Sequence, residues 1–171
     1  MNDIRVGIGY DVHAFADNRP CILGGVNIPH EQGLEGHSDA DVLSHAIGDA
    51  ILGAASLGDI GVHFPENDEH YRGISSLVLL QRIVDVLVES GYTMSNVDAT
   101  IVAERPKLAP FVSQMQNQIS AAIKLPKNRV SIKATTSEKL GFTGREEGIA
   151  AHAVVLICSI HESDLAKGDN N

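Results

Sequence analysis

GYDVHAF, residues 9–15, sets an aspartate and a histidine two positions apart, straight after an apolar run. In a strand or extended segment residues i and i+2 face the same side, so Asp11 and His13 can converge on one point. That geometry suits a metal ion, or a polar pair with no chemistry. His45 is the best third member, because it stands on a helical stretch away from the stripe of Leu43, Ala46, Ile47 and Ala50. Asp41 and Asp49 lie four residues before and after it, on the same helix side. A carboxylate so placed can hold the second ring nitrogen of a ligating histidine. An Asp/His/His set leaves a fourth tetrahedral position open, as catalytic zinc requires. A lone D-x-H is common and a helix histidine is often only solvated, so spacing leaves both readings standing.

Polar loops supply further candidates. GHSDAD (36–41) puts His37 and Ser38 at a helix start, where free N–H groups favour anions. The same stretch also serves as plain capping, with Ser38 or Asp39 as the cap. ATTSE (134–138) ends an apolar strand with Thr135, Thr136, Ser137 and Glu138, a set suited to phosphate oxygens and a hard cation, or to a strand edge and a turn. LGDIG (57–61) and FPEND (64–68) offer Asp59 for polyol hydroxyls, or an acidic surface loop. RPK (105–107) is a strand-end turn or a ligand loop.

These residues need a scaffold, and the pattern predicts alternating strands and helices. Residues 4–10 read as a strand, and 20–29 as a strand or a hairpin broken by Gly24 and Gly25. Val42, Leu43, Ala46, Ile47, Ala50, Ile51 and Ala54 recur at helical spacing and form a buried stripe. Residues 75–91 and 110–125 read as two more helices, the first stopped by Gly91 and the second with Pro110 in its first turn. Strands are expected over 97–105, 130–138 and 148–160. Helices between strands predict a sheet with helices packed on it. One domain is expected over 1–171, with a core at about 4–160 and a polar, frayed tail, KGDNN.

Composition removes several function classes. The 171 residues carry 22 acids against 13 bases, a net charge of −9, which argues against a nucleic-acid partner. Tryptophan is absent and aromatics are 4%, so a base-stacking platform is not expected either. No apolar run reaches the ~20 residues of a membrane span, and MNDIRVGIGY lacks a signal or transit pattern. The protein is therefore expected to be soluble and cytoplasmic. Cys21 and Cys158 are read as buried free thiols, and His63, His70 and His152 as solvated or structural.

Taken in order, GYDVHAF, ILGGVNIP, GHSDADVLSHAIGDAILGAASLGDIGVHFP, NVDATIVAERPKL and IKATTSEKLGFTGREEGIAA closely resemble the 2-C-methyl-D-erythritol 2,4-cyclodiphosphate synthases of the non-mevalonate route to isoprenoid precursors. The resemblance covers about Arg5 to Leu156. It implies an α/β (α+β) subunit, a sheet with helices on one face, in a homotrimer whose active sites lie at subunit interfaces. It implies a cytidine diphosphate substrate, 4-diphosphocytidyl-2-C-methyl-D-erythritol 2-phosphate. The 2-phosphate of this substrate attacks the β-phosphorus, CMP leaves, and a cyclic diphosphate forms.

Carried over by motif, the resemblance makes Asp11, His13 and His45 zinc ligands and Glu138 a ligand of Mg²⁺ or Mn²⁺. His37 and Thr136 match positions that stabilise the transition state, and Ser38 shares the first of those loops. Asp59, Ile60 and Gly61 would bind the methylerythritol, with Phe64, Pro65, Glu66, Asn67 and Asp68 continuing that wall. Ala103, Glu104, Arg105, Pro106, Lys107, Leu108 and Ala109 would bind the cytidine from a neighbouring subunit, through backbone edges, with the side chains of Glu104 and Arg105 turned away. Thr135, Ser137, Phe142 and Arg145 complete the nucleotide side. The family also has an apolar cavity on its threefold axis able to hold an isoprenoid diphosphate; Arg145 and Glu147 match the charged pair at its end. TTSE here replaces the more frequent TTTE and keeps a hydroxyl at Ser137. A zinc phosphohydrolase of nucleotide diphosphates and a structural metal site are the competing readings. The open fourth position argues against the latter.

Overall fold

In the computed structural model, which describes residues 3–65 and 67–160, residues 4–16 form one strand, β1 (Ile4–Ala16). It runs six residues past the expected end, so Asp11 and His13 lie within a paired strand rather than beyond it. They oppose Ala151 and Ile149 of β7 (Gly148–Ser159). A hairpin of β2 (Cys21–Leu23) and β3 (Val26–Ile28) turns at Gly24 and Gly25, and β4 (Gly33–Leu34) adds to the edge of β1. Helix α1 (Val42–Ala54), the short α2 (Ile60–His63) and α3 (Ser76–Glu89) follow. Then come β5 (Tyr92–Val102), α4 (Val112–Ala122), β6 (Val130–Thr135) and the short α5 (Gly141–Gly144).

The main sheet has the order β4-β1-β7-β5-β6, antiparallel except for the β5–β6 pair. β5 starts five residues earlier than expected and β6 stops at Thr135, which releases Thr136, Ser137 and Glu138 into a loop. The tail from 161 onward lies outside the described residues.

The expected α1 stripe is buried throughout, and Leu43, Ile47, Ile51 and Leu52 are each fully enclosed. Burial of such a side chain contributes about 1.5–3 kcal/mol. α3 presents Leu80, Ile83, Val84 and Leu87, and α4 presents Met115 and Ile119, to the same core.

β1 inverts the usual pattern. Its core-facing row is Arg5, Gly7, Gly9, Asp11 and His13, whereas Ile4, Val6, Ile8, Tyr10 and Val12 face outward and are 41–73% exposed. The glycines let α1 lie almost on the strand backbone. A Cβ on Gly9 would fall 1.9 Å from the Ala46 carbonyl oxygen, and one on Gly7 2.0 Å from that of Ala50. Ala151 and Ala153 continue this shallow floor on β7. Such close contact is how a helix residue, His45, reaches two strand residues.

The cap of α1 is Asp41, not Ser38 or Asp39. Its Oδ1 accepts from the N–H groups of Ser44 (3.1 Å) and Gly24 (2.8 Å). Its Oδ2 accepts from the Ser44 hydroxyl (2.7 Å) and the Gly25 N–H (2.8 Å). Burial, with the neighbouring Asp39 carboxylate, pushes this carboxyl up against the hydrogen bonds from the Ser44 hydroxyl and the Gly24 and Gly25 N–H groups. The Asp39 carboxylate instead accepts from the Ser76 hydroxyl and N–H and from the Asp41 N–H at 3.3 Å. Cys21 is buried as expected, whereas Cys158 is only half-buried; both are free thiols.

Candidate active site and metal centre

Asp11, His13 and His45 meet at the top of β1. His13 Nε2 lies 3.1 Å from Asp11 Oδ2, His45 Nδ1 lies 3.0 Å from the same oxygen, and the two ring nitrogens are 3.1 Å apart. Among the described residues they form the one His/Cys/Asp/Glu group of metal-binding geometry. Three ligands about 2.0–2.1 Å from a tetrahedral Zn²⁺ would stand about 3.4 Å apart. The observed triangle is close to one face of that tetrahedron, and its N, N, O donor set is a zinc-type set. Burial alone would raise the Asp11 carboxyl, but hydrogen bonds from both imidazoles hold it well below the usual carboxylate range. Burial likewise opposes charge on His45, and the Asp11 carboxylate overcomes it and raises its pKa. The triangle is therefore a site that demands positive charge.

The far side of His45 differs from expectation. Asp41 is spent on the hairpin turn and helix cap, and Asp49 Oδ1 accepts from the Ile60 N–H (2.9 Å). The second ring nitrogen, Nε2, instead meets Ser76 Oγ at 2.9 Å and Ser38 Oγ at 3.1 Å. Ser76 opens α3, and in the sequence it looks like an ordinary polar helix start. The loop carrying His37 and Ser38 is clamped by Arg19, whose guanidinium donates to the carbonyls of Gly36 (2.6 Å) and Ser38 (2.7 Å).

The triangle opens into a cleft of about 280 Å³ lined also by His37, Ser38, Asp49, Asp59, Ile60, Gly61, Phe64, Tyr71 and Leu79. Asp59 caps α2 through Oδ1 to the Val62 N–H, which leaves Oδ2 for a hydroxyl. Phe64 packs edge-on against Tyr71 at 5.3 Å. His37 Nε2 lies 3.3 Å from the Asp68 carbonyl oxygen; a carbonyl only accepts, so this nitrogen donates and Nδ1 is left as an acceptor. Pro65, Asn67 and Asp68 do not line the cleft, and Glu66 lies outside the described residues. Asp49, Tyr71 and Leu79 do line it, although the motifs did not mark them as site residues. Burial, then the neighbouring Asp59 and Asp11 carboxylates, push Asp49 up against the Ile60 N–H. Three carboxylates and no Lys or Arg line this cleft. A phosphorylated ligand would be repelled from it unless cations sat between.

A second cleft, about 310 Å³, is lined by Ala103, Glu104, Pro106, Lys107, Leu108, Ala109, Ala134, Thr135 and Thr136. Arg105 turns away toward Glu146 (3.6 Å), as expected. Glu104 does not simply turn away: its Oε1 accepts from the N–H groups of Ser137 (3.1 Å) and Lys139 (2.9 Å), which ties the two loops together. Glu138 is exposed, and its Oε1 accepts from the Thr136 hydroxyl at 3.0 Å. Phe142 lies in α5, and Arg145 forms a two-pronged pair with Glu147 at 2.8 and 3.0 Å; neither lines the second cleft. Within one chain, then, His37 and Thr136 line different clefts.

His63 Nε2 donates to the Leu57 carbonyl of its own loop at 2.9 Å, His70 is exposed beside Asp68, and His152 is exposed over Tyr10.

The YgbB family pattern matches residues 4–158. The chain is 57% identical over 156 residues to the 2-C-methyl-D-erythritol 2,4-cyclodiphosphate synthase of Syntrophobacter fumaroxidans, covering 91% of this chain and 98% of that protein. Its fold is similar to the bifunctional IspDF of Campylobacter jejuni, with a TM-score of 0.90 and 44% identity; the match covers 94% of this chain and 43% of that one. It is also similar to the CDP complex of Plasmodium falciparum IspF, with a TM-score of 0.81, 32% identity, and coverage of 94% and 99%.

Proposed function

The chain belongs to the YgbB family, and on that premise we propose that it converts 4-diphosphocytidyl-2-C-methyl-D-erythritol 2-phosphate to 2-C-methyl-D-erythritol 2,4-cyclodiphosphate and CMP. The observation that carries this reading is the Asp11–His13–His45 triangle, open toward a cleft whose far wall carries Asp59 and Gly61. In the reaction an oxygen of the 2-phosphate bonds to the β-phosphorus. The bond from that phosphorus to the bridging oxygen breaks, and CMP leaves with the electron pair. No water and no covalent protein intermediate takes part.

Asp11, His13 and His45 would hold Zn²⁺, and Glu138 would help hold Mg²⁺ or Mn²⁺. Bound there, the cations supply Lewis-acid polarisation and charge neutralisation for two phosphate groups brought together. The chain's own groups supply position. Asp59 accepts from the methylerythritol hydroxyls. Ser38 and His37 border the phosphates. The loop of 103–109 holds cytosine and ribose, with Thr135, Thr136 and Ser137 beside the diphosphate.

A homotrimer supports this arrangement. The outward row Ile4, Val6, Ile8, Tyr10 and Val12, with Val154 of β7, is an apolar face that a lone chain leaves in water. Packing it against neighbours around a threefold axis would also let the His37 cleft of one subunit face the Thr136 cleft of the next. The enclosed axis would then offer an apolar channel for an isoprenoid diphosphate, with Arg145 and Glu147 near its end. Ile8→Asp puts an unpaired charge on this face three times over, at a cost of several kcal/mol per copy. Light scattering should find it monomeric at micromolar concentration; a persisting trimer would remove this face from the interface. A cytoplasmic location is part of this proposal; separately, no described helix is long and apolar enough to cross a membrane.

The deciding experiment is phosphorus NMR of the purified protein with the cytidylylated substrate and Mg²⁺. Equimolar CMP and a cyclic diphosphate are expected. Linear phosphates would mean that water attacks and that the protein is a hydrolase.

A further inference from the structure

Ser76 lies outside every motif that marks the site, and Asp39 enters one, GHSDAD, only as a possible helix cap, yet the two sit directly behind the triangle. The Ser76 hydroxyl lies 2.5 Å from Asp39 Oδ1, and the Ser76 N–H donates to Asp39 Oδ2 at 3.0 Å. Ser76 is 1% exposed, so no water competes for its proton. An ionised carboxylate only accepts, so the single hydroxyl proton of Ser76 is committed to Asp39. Ser76 Oγ can then meet His45 Nε2, 2.9 Å away, only as an acceptor. Nε2 must carry a hydrogen. Nδ1, 3.0 Å from Asp11 Oδ2 and 3.1 Å from His13 Nε2, is then the ring nitrogen that would offer its lone pair to a cation entering the triangle. Asp39 itself neither lines the cleft nor touches His45.

We propose that Asp39 and Ser76 are positioning residues that fix His45 as the Nε2–H tautomer and hold its ring so that Nδ1 is the metal-binding atom. The direction of each hydrogen bond in the chain Asp39–Ser76–His45 is set by the carboxylate at its start. Ser38 Oγ lies 3.1 Å from Nε2, accepts from the Ala40 N–H at 3.2 Å and stands 3.4 Å from Ser76 Oγ; with its own hydrogen turned to Ser76, it is a second acceptor for the Nε2 hydrogen. Without Asp39 the Ser76 proton is free to turn toward Nε2. The opposite tautomer, with Nδ1 blocked by hydrogen, then becomes available.

The inference rests on the metal reading above, so its test separates the two. Zinc affinity is measured by competition with a chromophoric chelator, and the His45 ring is followed by long-range ¹H–¹⁵N NMR with labelled histidine, with and without zinc. In the parent protein the hydrogen is expected on Nε2 in both states, slow to exchange. Ser76→Ala and Asp39→Asn should each weaken zinc about 10–100-fold, the usual effect of losing a partner of a ligating imidazole. Each should also speed exchange of the Nε2 hydrogen, and Ser76→Thr should restore affinity. Wild-type zinc affinity in both of the first two variants overturns the proposal, as does an Nδ1–H tautomer in the parent protein, which requires no variant to fold. A parent protein that binds no zinc, yet keeps a protected Nε2 hydrogen, sinks the metal reading and leaves the positioning pair standing.

Discussion

His45→Ala is expected to bind no zinc after dialysis and to lose activity by about 10³-fold or more, while its far-ultraviolet circular dichroism stays that of the parent. Removing one preorganised electrostatic contact from an active site already costs about 10²–10³ in rate. Here one corner of the triangle goes, and with it the cation that would screen the Asp11, Asp49 and Asp59 carboxylates from an incoming phosphate. Asp11 and His13 remain as two ligands of a site that needs at least three. The fold should tolerate the change because the imidazole is not part of the stripe of Leu43, Ala46, Ile47, Ala50 and Ile51 that packs α1 onto the sheet. Metal content and turnover on the same sample make the test. Undiminished turnover in a metal-free sample would remove the metal from the mechanism.

Asp41→Ala should be the most destabilising single change near the site. Asp41 is completely buried and accepts four hydrogen bonds, two of them from the Gly24 and Gly25 N–H groups at the tip of the β2–β3 hairpin. Both glycines have positive φ, 54° and 71°, so the hairpin turn cannot easily rotate those N–H groups toward other partners. Each buried donor left unpaired costs about 1–3 kcal/mol, and loss of the helix cap about 1 more. A total of about 3–7 kcal/mol is expected, a large fraction of a typical folding free energy of about 5–15 kcal/mol. Asp41→Asn should rescue little, because its amide nitrogen is a donor facing donors. Urea midpoints at one fixed protein concentration give the comparison. A loss under about 1 kcal/mol for alanine would mean that the turn finds other acceptors.

The local code was largely legible in the sequence. Period two placed Asp11 and His13 on one side, period 3.6 placed His45 off the apolar stripe, and the five ordered motifs identified the family. α1 and its buried residues fall where the spacing puts them. What failed was inference about partners. Asp41 and Asp49 stand at the right helix spacing to support His45, but the hairpin tip claims one and the start of α2 claims the other. Ser76, 31 positions from His45, took the role because α3 packs its first turn against α1's, a contact no sequence window contains.

The sequence by itself therefore determined the residues of the triangle, the faces of the two on the strand and the helix that carries the third. Those follow from backbone periodicity, which is local. Only the tertiary structure decided which face of β1 is the inside. Hydrophobicity alone would bury Ile4, Val6 and Ile8. The protein instead buries Gly7 and Gly9, because only a side-chain-free strand lets α1 approach closely enough for His45 to join Asp11 and His13. It also decided that His37 and Thr136, both singled out in the sequence, line separate clefts of one chain.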